Sequence, residues 1–195
     1  MTYVVLTGSI GVGKSTVGRA VAQNLGIPFI QEPIDSNPFL AEFYKDPLRW
    51  ALANQLHFLT FHFAYQSRTQ EPFIIERSIL DDASIFSAVC YRRGYLTRSE
   101  HNALTRLAEE LQSKCVGPKK MIWLKARAPV TSKRVANRSS PSEHDIMEEY
   151  LIDLEAEYEA VLSRLNSGVV AIDASAPLEE VVSQATFHVQ NAFKS

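Results

Sequence analysis

The stretch YVVLTGSIGVGKST, residues 3–16, passes from an apolar, β-prone segment through three glycines into Lys14-Ser15-Thr16. Tyr3–Leu6 reads as a strand and Lys14–Leu25 as a helix. Between them Gly8-Ser9-Ile10-Gly11-Val12-Gly13-Lys14-Ser15-Thr16 fits the pattern G-x-x-x-x-G-K-[ST] in its required strand-to-helix setting. Glycine lets the backbone wrap tightly, so that successive N–H groups and the helix N-terminus face phosphate oxygens. Lys14 suits the β- and γ-phosphates of a nucleoside triphosphate, and the Ser15 hydroxyl suits Mg²⁺. A ligand-free glycine turn capping a helix is the bland alternative, and the complete motif argues against it.

Outward from this loop, short apolar runs alternate with longer amphipathic ones. Pro28–Gln31, Phe73–Glu76, Met121–Lys125 and Val169–Ile172 read as further strands. Helices fit Leu48–Gln66, Asp82–Arg92, Arg98–Ser113, Glu143–Leu165 and Leu178–Phe193, the fourth of these carrying an apolar stripe of Met147, Tyr150, Leu154, Tyr158, Val161 and Leu165. Such alternation predicts a parallel sheet covered by helices, and the 195 residues predict one α/β domain of about five strands. The net charge of −2 gives no basic surface for nucleic acid or for a membrane, and no apolar run is long enough to span a bilayer. The N-terminus suggests no signal or transit segment. Cys90 and Cys115 lack metal-ligand spacing and suggest neither a disulfide framework nor a zinc site, in keeping with a cytoplasmic setting.

In an open parallel sheet ligands bind beyond the carboxyl ends of the strands. The second strand ends at Glu32, and the third ends at Glu76-Arg77 within IIERSILDD, residues 74–82. Opposite charges side by side suit a site that handles both phosphate and metal. Glu76 fits a metal carboxylate, and Arg77 fits the charge on a transferring phosphoryl group. Glu32 reads either as an acceptor for a hydroxyl proton or as a solvated turn residue. On the long helix Gln55 and His62 share a face, where they frame a base edge or form the rim of a core helix, the second being the plainer reading.

Further residues carry a resemblance. Together with the loop at 8–16, Glu32-Pro33, the run Asn37-Pro38-Phe39-Leu40 through Phe43-Tyr44 to Trp50, and Glu76-Arg77-Ser78 with Asp82 and Phe86 resemble the deoxynucleoside kinases, over nearly the whole chain. These P-loop enzymes phosphorylate the 5′-hydroxyl of deoxynucleosides. The resemblance implies that Glu32 is the general base, that Arg77 contacts the 5′-oxygen and the phosphoryl group, and that Glu76 reaches the metal. It implies that Tyr44 and Glu143 hold the 3′-hydroxyl, that Gln55 reads the base in its plane, and that Phe86 stacks on it. Asp82 matches an acidic residue of members that accept purines or cytosine, where an arginine on the long helix usually partners it; here that position is His62. A histidine there is expected to weaken the pair and to make affinity change between about pH 5.5 and 7.5.

The segment at about 133–143 resembles the family's arginine-rich lid, with Arg134 and Arg138 in place but Ser139-Ser140 where Gly-Arg is usual. Asp173-Ala174-Ser175 falls where a loop reading the adenine of the donor is expected. The implied activity is transfer of the γ-phosphoryl of ATP, with Mg²⁺, to deoxyadenosine or deoxyguanosine, with deoxycytidine next and thymidine last. A homodimer packed through helices and inhibition by a deoxynucleoside triphosphate product are implied too. Two rivals share the loop. A thymidylate-type monophosphate kinase needs extra cations where this chain has Glu32 and Tyr44. A P-loop ATPase or switch has no use for Tyr44, Gln55 and Glu143, and the Asn-Lys-x-Asp element of switch GTPases is missing.

Overall fold

A computed structural model describes residues 2–68, 71–137, 146–165 and 168–194. Five parallel strands form one sheet in the order β2-β3-β1-β4-β5, with β1 Tyr3–Thr7, β2 Phe29–Ile30, β3 Phe73–Glu76, β4 Lys120–Lys125 and β5 Val169–Asp173. In the central pairing Tyr3 lies opposite Phe73 and Leu6 opposite Glu76, so β1 and β3 end side by side.

Alternate residues of each strand feed two cores, because successive side chains leave opposite faces of a sheet. Val4, Leu6, Ile74, Ile122 and Ile172 pack on one face with α1 (Lys14–Leu25) and α9 (Leu178–Lys194). Tyr3, Val5, Ile75 and Trp123 pack on the other. That second face is covered by α2 (Leu40–Lys45), α3 (Pro47–Gln66), the helical run from α4 (Ile79–Asp81) to α5 (Ser87–Arg92), α6 (Arg98–Gln112), α7 (Ala128–Ala136) and α8 (Glu148–Leu162). Local chemistry sets several helix ends. Asp46 accepts from the Arg49 N–H and Pro47 opens α3, while Thr97 and Glu100 form a reciprocal cap on α6.

The observed helices depart from the periodicity reading in four places. Asp82 does not start its helix; the run begins at Ile79 and contains a π-helical turn, Asp82–Phe86. Two helices escape the reading. With six residues α2 is too short to show a period, and α7 has Pro129 and the β-branched pair Val130-Thr131 in its first turns. In α8 the stripe is narrower than expected. Tyr150, Leu154 and Tyr158 are buried, but Met147 and Leu165 lie outside the helix and are 49% and 40% exposed.

Candidate active site

Three strand ends converge on one crevice, and the loop after β1 forms its floor. Gly8 has φ 140, and a Cβ there would lie 2.4 Å from the Leu124 carbonyl oxygen, so β4 passes too close for any side chain. Gly13 has φ 105 with nothing within 4 Å of a Cβ position, which leaves an open concavity at the start of α1. Lys14 is 4% exposed and folds back over the loop, its Nζ donating to the carbonyls of Gly8 at 3.1 Å and Ser9 at 3.0 Å. From the third strand Glu76 lies 3.8 Å from that ammonium and accepts from the Ser15 hydroxyl at 3.0 and 3.2 Å. Burial, with the charge of Glu32, raises the Glu76 pKa against the pull of Lys14. Ser15 and Glu76 thus offer hard oxygen donors beside the phosphate cradle, the set that suits Mg²⁺ held jointly with substrate phosphates. Among the described residues no group of three or more His, Cys, Asp or Glu makes an all-protein metal cage.

The backbone separates the opposite charges at the end of β3. Arg77 has φ 59, the one left-handed non-glycine among the described residues, and its N–H donates to the Leu6 carbonyl at 3.0 Å. Glu76 consequently turns to the P-loop while Arg77 turns into the crevice, where its guanidinium bonds Glu32 and lies 4.4 Å over the Phe86 ring. Burial alone would push the Glu32 carboxyl up; Arg77, then His62 and Lys14, outweigh it and hold the group below its ordinary value. Glu32 is 4% exposed and paired, so the structure excludes the solvated-turn reading.

Behind this pair lies a buried polar cluster. The two aspartates of IIERSILDD part company at the π-helical turn. Asp81 accepts from Thr7, from Ser78 at 2.7 Å and from Tyr158 at 2.8 Å, fastening the turn to β1 and α8. Asp82 meets His62 instead, with Nδ1 2.6 Å from Oδ2, while His62 Nε2 donates to the Glu76 carbonyl at 3.0 Å. His62 is fully buried, behind the residues that line the crevice. Burial would lower its pKa, but Asp82 and then Glu32 raise it to about 9, above the pH 5.5–7.5 window expected from sequence. Burial lifts Asp82 to about 6 in spite of His62.

Tyr44, Gln55, Asp82 and Phe86 line one cleft with Glu32 and Arg77, as the sequence grouped them. Arg134 on α7 donates to the carbonyls of Val12 at 3.1 Å and Ala174 at 2.9 Å, tying the P-loop to the segment after β5. Gly11, Gly13, Thr16, Arg134, Ala174 and Ala176 border a second groove on the α1 side. Arg138 and Glu143 lie outside the described residues. Three contributors were missed by the sequence reading. Tyr150 lines the cleft, Asn54 accepts from Asn37 at 2.8 Å at its edge, and Cys90 sits beneath, 3.8 Å from Gln55 Nε2 and 4.0 Å from the Tyr150 hydroxyl. Tyr150 was legible only as one member of an apolar stripe; nothing in the sequence marked Cys90.

A phosphate cradle at the first strand end, a carboxylate beside it and a carboxylate–guanidinium pair facing it define a P-loop phosphotransferase. The chain belongs to the deoxynucleoside kinase family, whose model matches residues 4–193, and it is an ATP-dependent kinase acting on the 5′-hydroxyl of a deoxynucleoside. It is 28% identical over 171 residues to the deoxyadenosine/deoxycytidine kinase of Bacillus subtilis, covering 85% of this chain and 79% of that one. The deoxyguanosine kinase of the same organism is 26% identical over 164 residues, covering 84% and 79%. A probable deoxycytidine kinase of fowlpox virus is 31% identical over 172 residues, covering 83% and 72%. The fold matches that of deoxyadenosine kinase from M. mycoides with bound dATP, at a TM-score of 0.86 and 22% identity, covering 97% of this chain and 100% of that one. Family membership favours neither the monophosphate kinase nor the ATPase or switch.

Proposed function

We propose that the cleft between α3 and the Asp82–Phe86 turn takes deoxyadenosine, deoxyguanosine or deoxycytidine, with its 5′-hydroxyl at Glu32 and its base between Gln55 and Phe86. The observation that carries this reading is the buried Glu32–Arg77 pair, set beside Glu76 and facing the P-loop. Glu32 accepts the proton of the incoming hydroxyl as the phosphoryl group is transferred, and Arg77 exchanges part of its bond to Glu32 for the phosphoryl oxygens. Lys14 leaves the Gly8 and Ser9 carbonyls for the β- and γ-phosphates. Tyr44 and Glu143 hold the 3′-hydroxyl. Ser15 and Glu76 would hold Mg²⁺, which would supply charge neutralisation to the phosphates. Arg134 and Arg138 belong to a lid at about 133–143, and residues 1–195 act as one domain.

A homodimer is part of the same reading. Nearly every face of α3 is apolar, and Trp50, Leu52, Leu56 and Phe63 remain only partly buried, as expected of a helix that packs on a second copy. No described helix is long and apolar enough to cross a membrane, and the free thiols of Cys90 and Cys115 suit a cytoplasmic setting. ADP release from MgATP, measured with each of the four deoxynucleosides and with their monophosphates, tests the reading. Turnover with deoxyadenosine, deoxyguanosine or deoxycytidine supports it. Turnover with monophosphates alone would mean that the cleft binds a nucleotide.

A further inference from the structure

We propose that a groove between the last residues of β4 and β5 and the helix α8 is a second small-molecule site, and that it takes small organic ammonium ions with an aromatic body. The groove and the substrate cleft share no lining residue. Its volume is about 330 Å³, against about 30 Å³ for the cleft. Sites for small molecules run from about 300 to 1,000 Å³.

The hollow follows from the strand pattern. β5 is an edge strand, and its successive side chains leave opposite faces of the sheet. Ile172 is buried in the core shared with α9, whereas Ala171, opposite Trp123 in the register, is exposed on the other face. A methyl group beside an indole leaves space, and α8 borders that space with Glu155, Tyr158 and Glu159. The P-loop reaches the same groove through Ser9. Ser9 is 6% exposed, and its hydroxyl is buried without a hydrogen-bond partner among the described residues. A buried hydroxyl in that condition has its bonding capacity left for an occupant.

Charge and an aromatic face set the class of ligand. The carboxylates of Glu155, Glu159 and Asp173 border the groove, against the cations Lys125 and Arg127. Lys125 Nζ lies 2.7 Å from Glu159 and 4.3 Å from the centre of the Trp123 ring. The chain thus sets its own ammonium between an aromatic face and a carboxylate, a pair that attracts cations. Both side chains of that ion pair are well exposed, 41% for Lys125 and 56% for Glu159, so exchange for another ammonium costs little. Asp173 stands opposite Lys125 in the register and makes no ion pair among the described residues; one of its oxygens accepts from the Ser175 N–H at 2.8 Å. An incoming ammonium displaces Lys125, takes over Glu159 and Trp123, gains the uncompensated charge of Asp173, and lays its ring along Ala171. An anion meets a rim with more negative than positive groups.

Isothermal titration with phenethylammonium, phenethyl alcohol and hydrocinnamate tests the site, because the three probes carry different charges on similar bodies. The ammonium is expected to bind roughly tenfold tighter than the alcohol, and the carboxylate weakest of all. Lys125→Ala removes the competing ammonium and is expected to tighten phenethylammonium binding by roughly threefold or more. Ala171→Phe fills the hollow and is expected to weaken it by roughly tenfold or more, with MgATP affinity within about threefold of wild type. Ammonium binding no tighter than that of the alcohol would overturn the proposal, as would binding left unchanged or weakened by Lys125→Ala. Binding that survives Ala171→Phe would place the ion elsewhere and overturn it too. Lys125→Ala decides the matter if Ala171→Phe does not fold.

Discussion

Tyr158→Phe isolates the hydroxyl that anchors the π-helical turn. Tyr158 is 1% exposed, and its O–H donates to Asp81 Oδ1 at 2.8 Å. Phenylalanine keeps the ring and its edge contact with Phe86, whose centroid lies 6.3 Å away, so only the hydrogen bond is lost. Asp81 is fully buried and retains Thr7 and Ser78. A buried hydrogen bond to an acidic group contributes about 1.5–3 kcal/mol. With a urea m-value of about 2–3 kcal/mol per molar, the unfolding midpoint should fall by roughly 0.5–1.5 M at unchanged m. Combining the change with Thr7→Val should cost less than the sum of the two, because both hydroxyls serve one carboxyl. A midpoint within about 0.2 M of wild type, or strict additivity, would refute the account of Asp81 as the joint between β1, the turn and α8.

Arg77→Lys keeps the charge but loses the planar fork and its stacking over Phe86. The kcat should fall by about 10²–10³-fold with ATP affinity within threefold, measured by steady-state kinetics and nucleotide titration. Stability should also depend on pH through His62, whose folded value of about 9 exceeds the ordinary 6.5. Its contribution is fully present below about pH 6.5 and is lost as pH rises through 9. The gap in urea midpoint between wild type and His62→Gln should therefore shrink between those two pH values.

The sheet was legible because each strand is a short apolar run and the loop at 8–16 fixes the first strand and helix together. The charged half of the site was legible for a related reason. Strand ends face the crevice, so Glu32, Glu76 and Arg77 could be grouped without knowing how they touch. What the sequence withheld depends on local geometry. The left-handed turn at Arg77 divides adjacent charges between two tasks, and L-residues adopt that conformation too rarely for it to be read from residue type. The π-helical turn sends Asp81 and Asp82 to different partners, although both would lie on neighbouring positions of an ordinary helix. Spacing placed Gln55 and His62 on one face, and they are on one face; their depth differs, with Gln55 lining the cleft and His62 behind it. Depth is set by what packs against α3, which no period reports.

Glu32, held ionised by Arg77, is expected to take the proton of the 5′-hydroxyl as the phosphoryl group moves. Single-turnover transfer from ATP to deoxyadenosine with Glu32→Gln tests it most directly. A transfer rate reduced by about 10²–10⁴-fold, with ATP and deoxyadenosine still bound, is the expected result. A rate within about fivefold of wild type would contradict it.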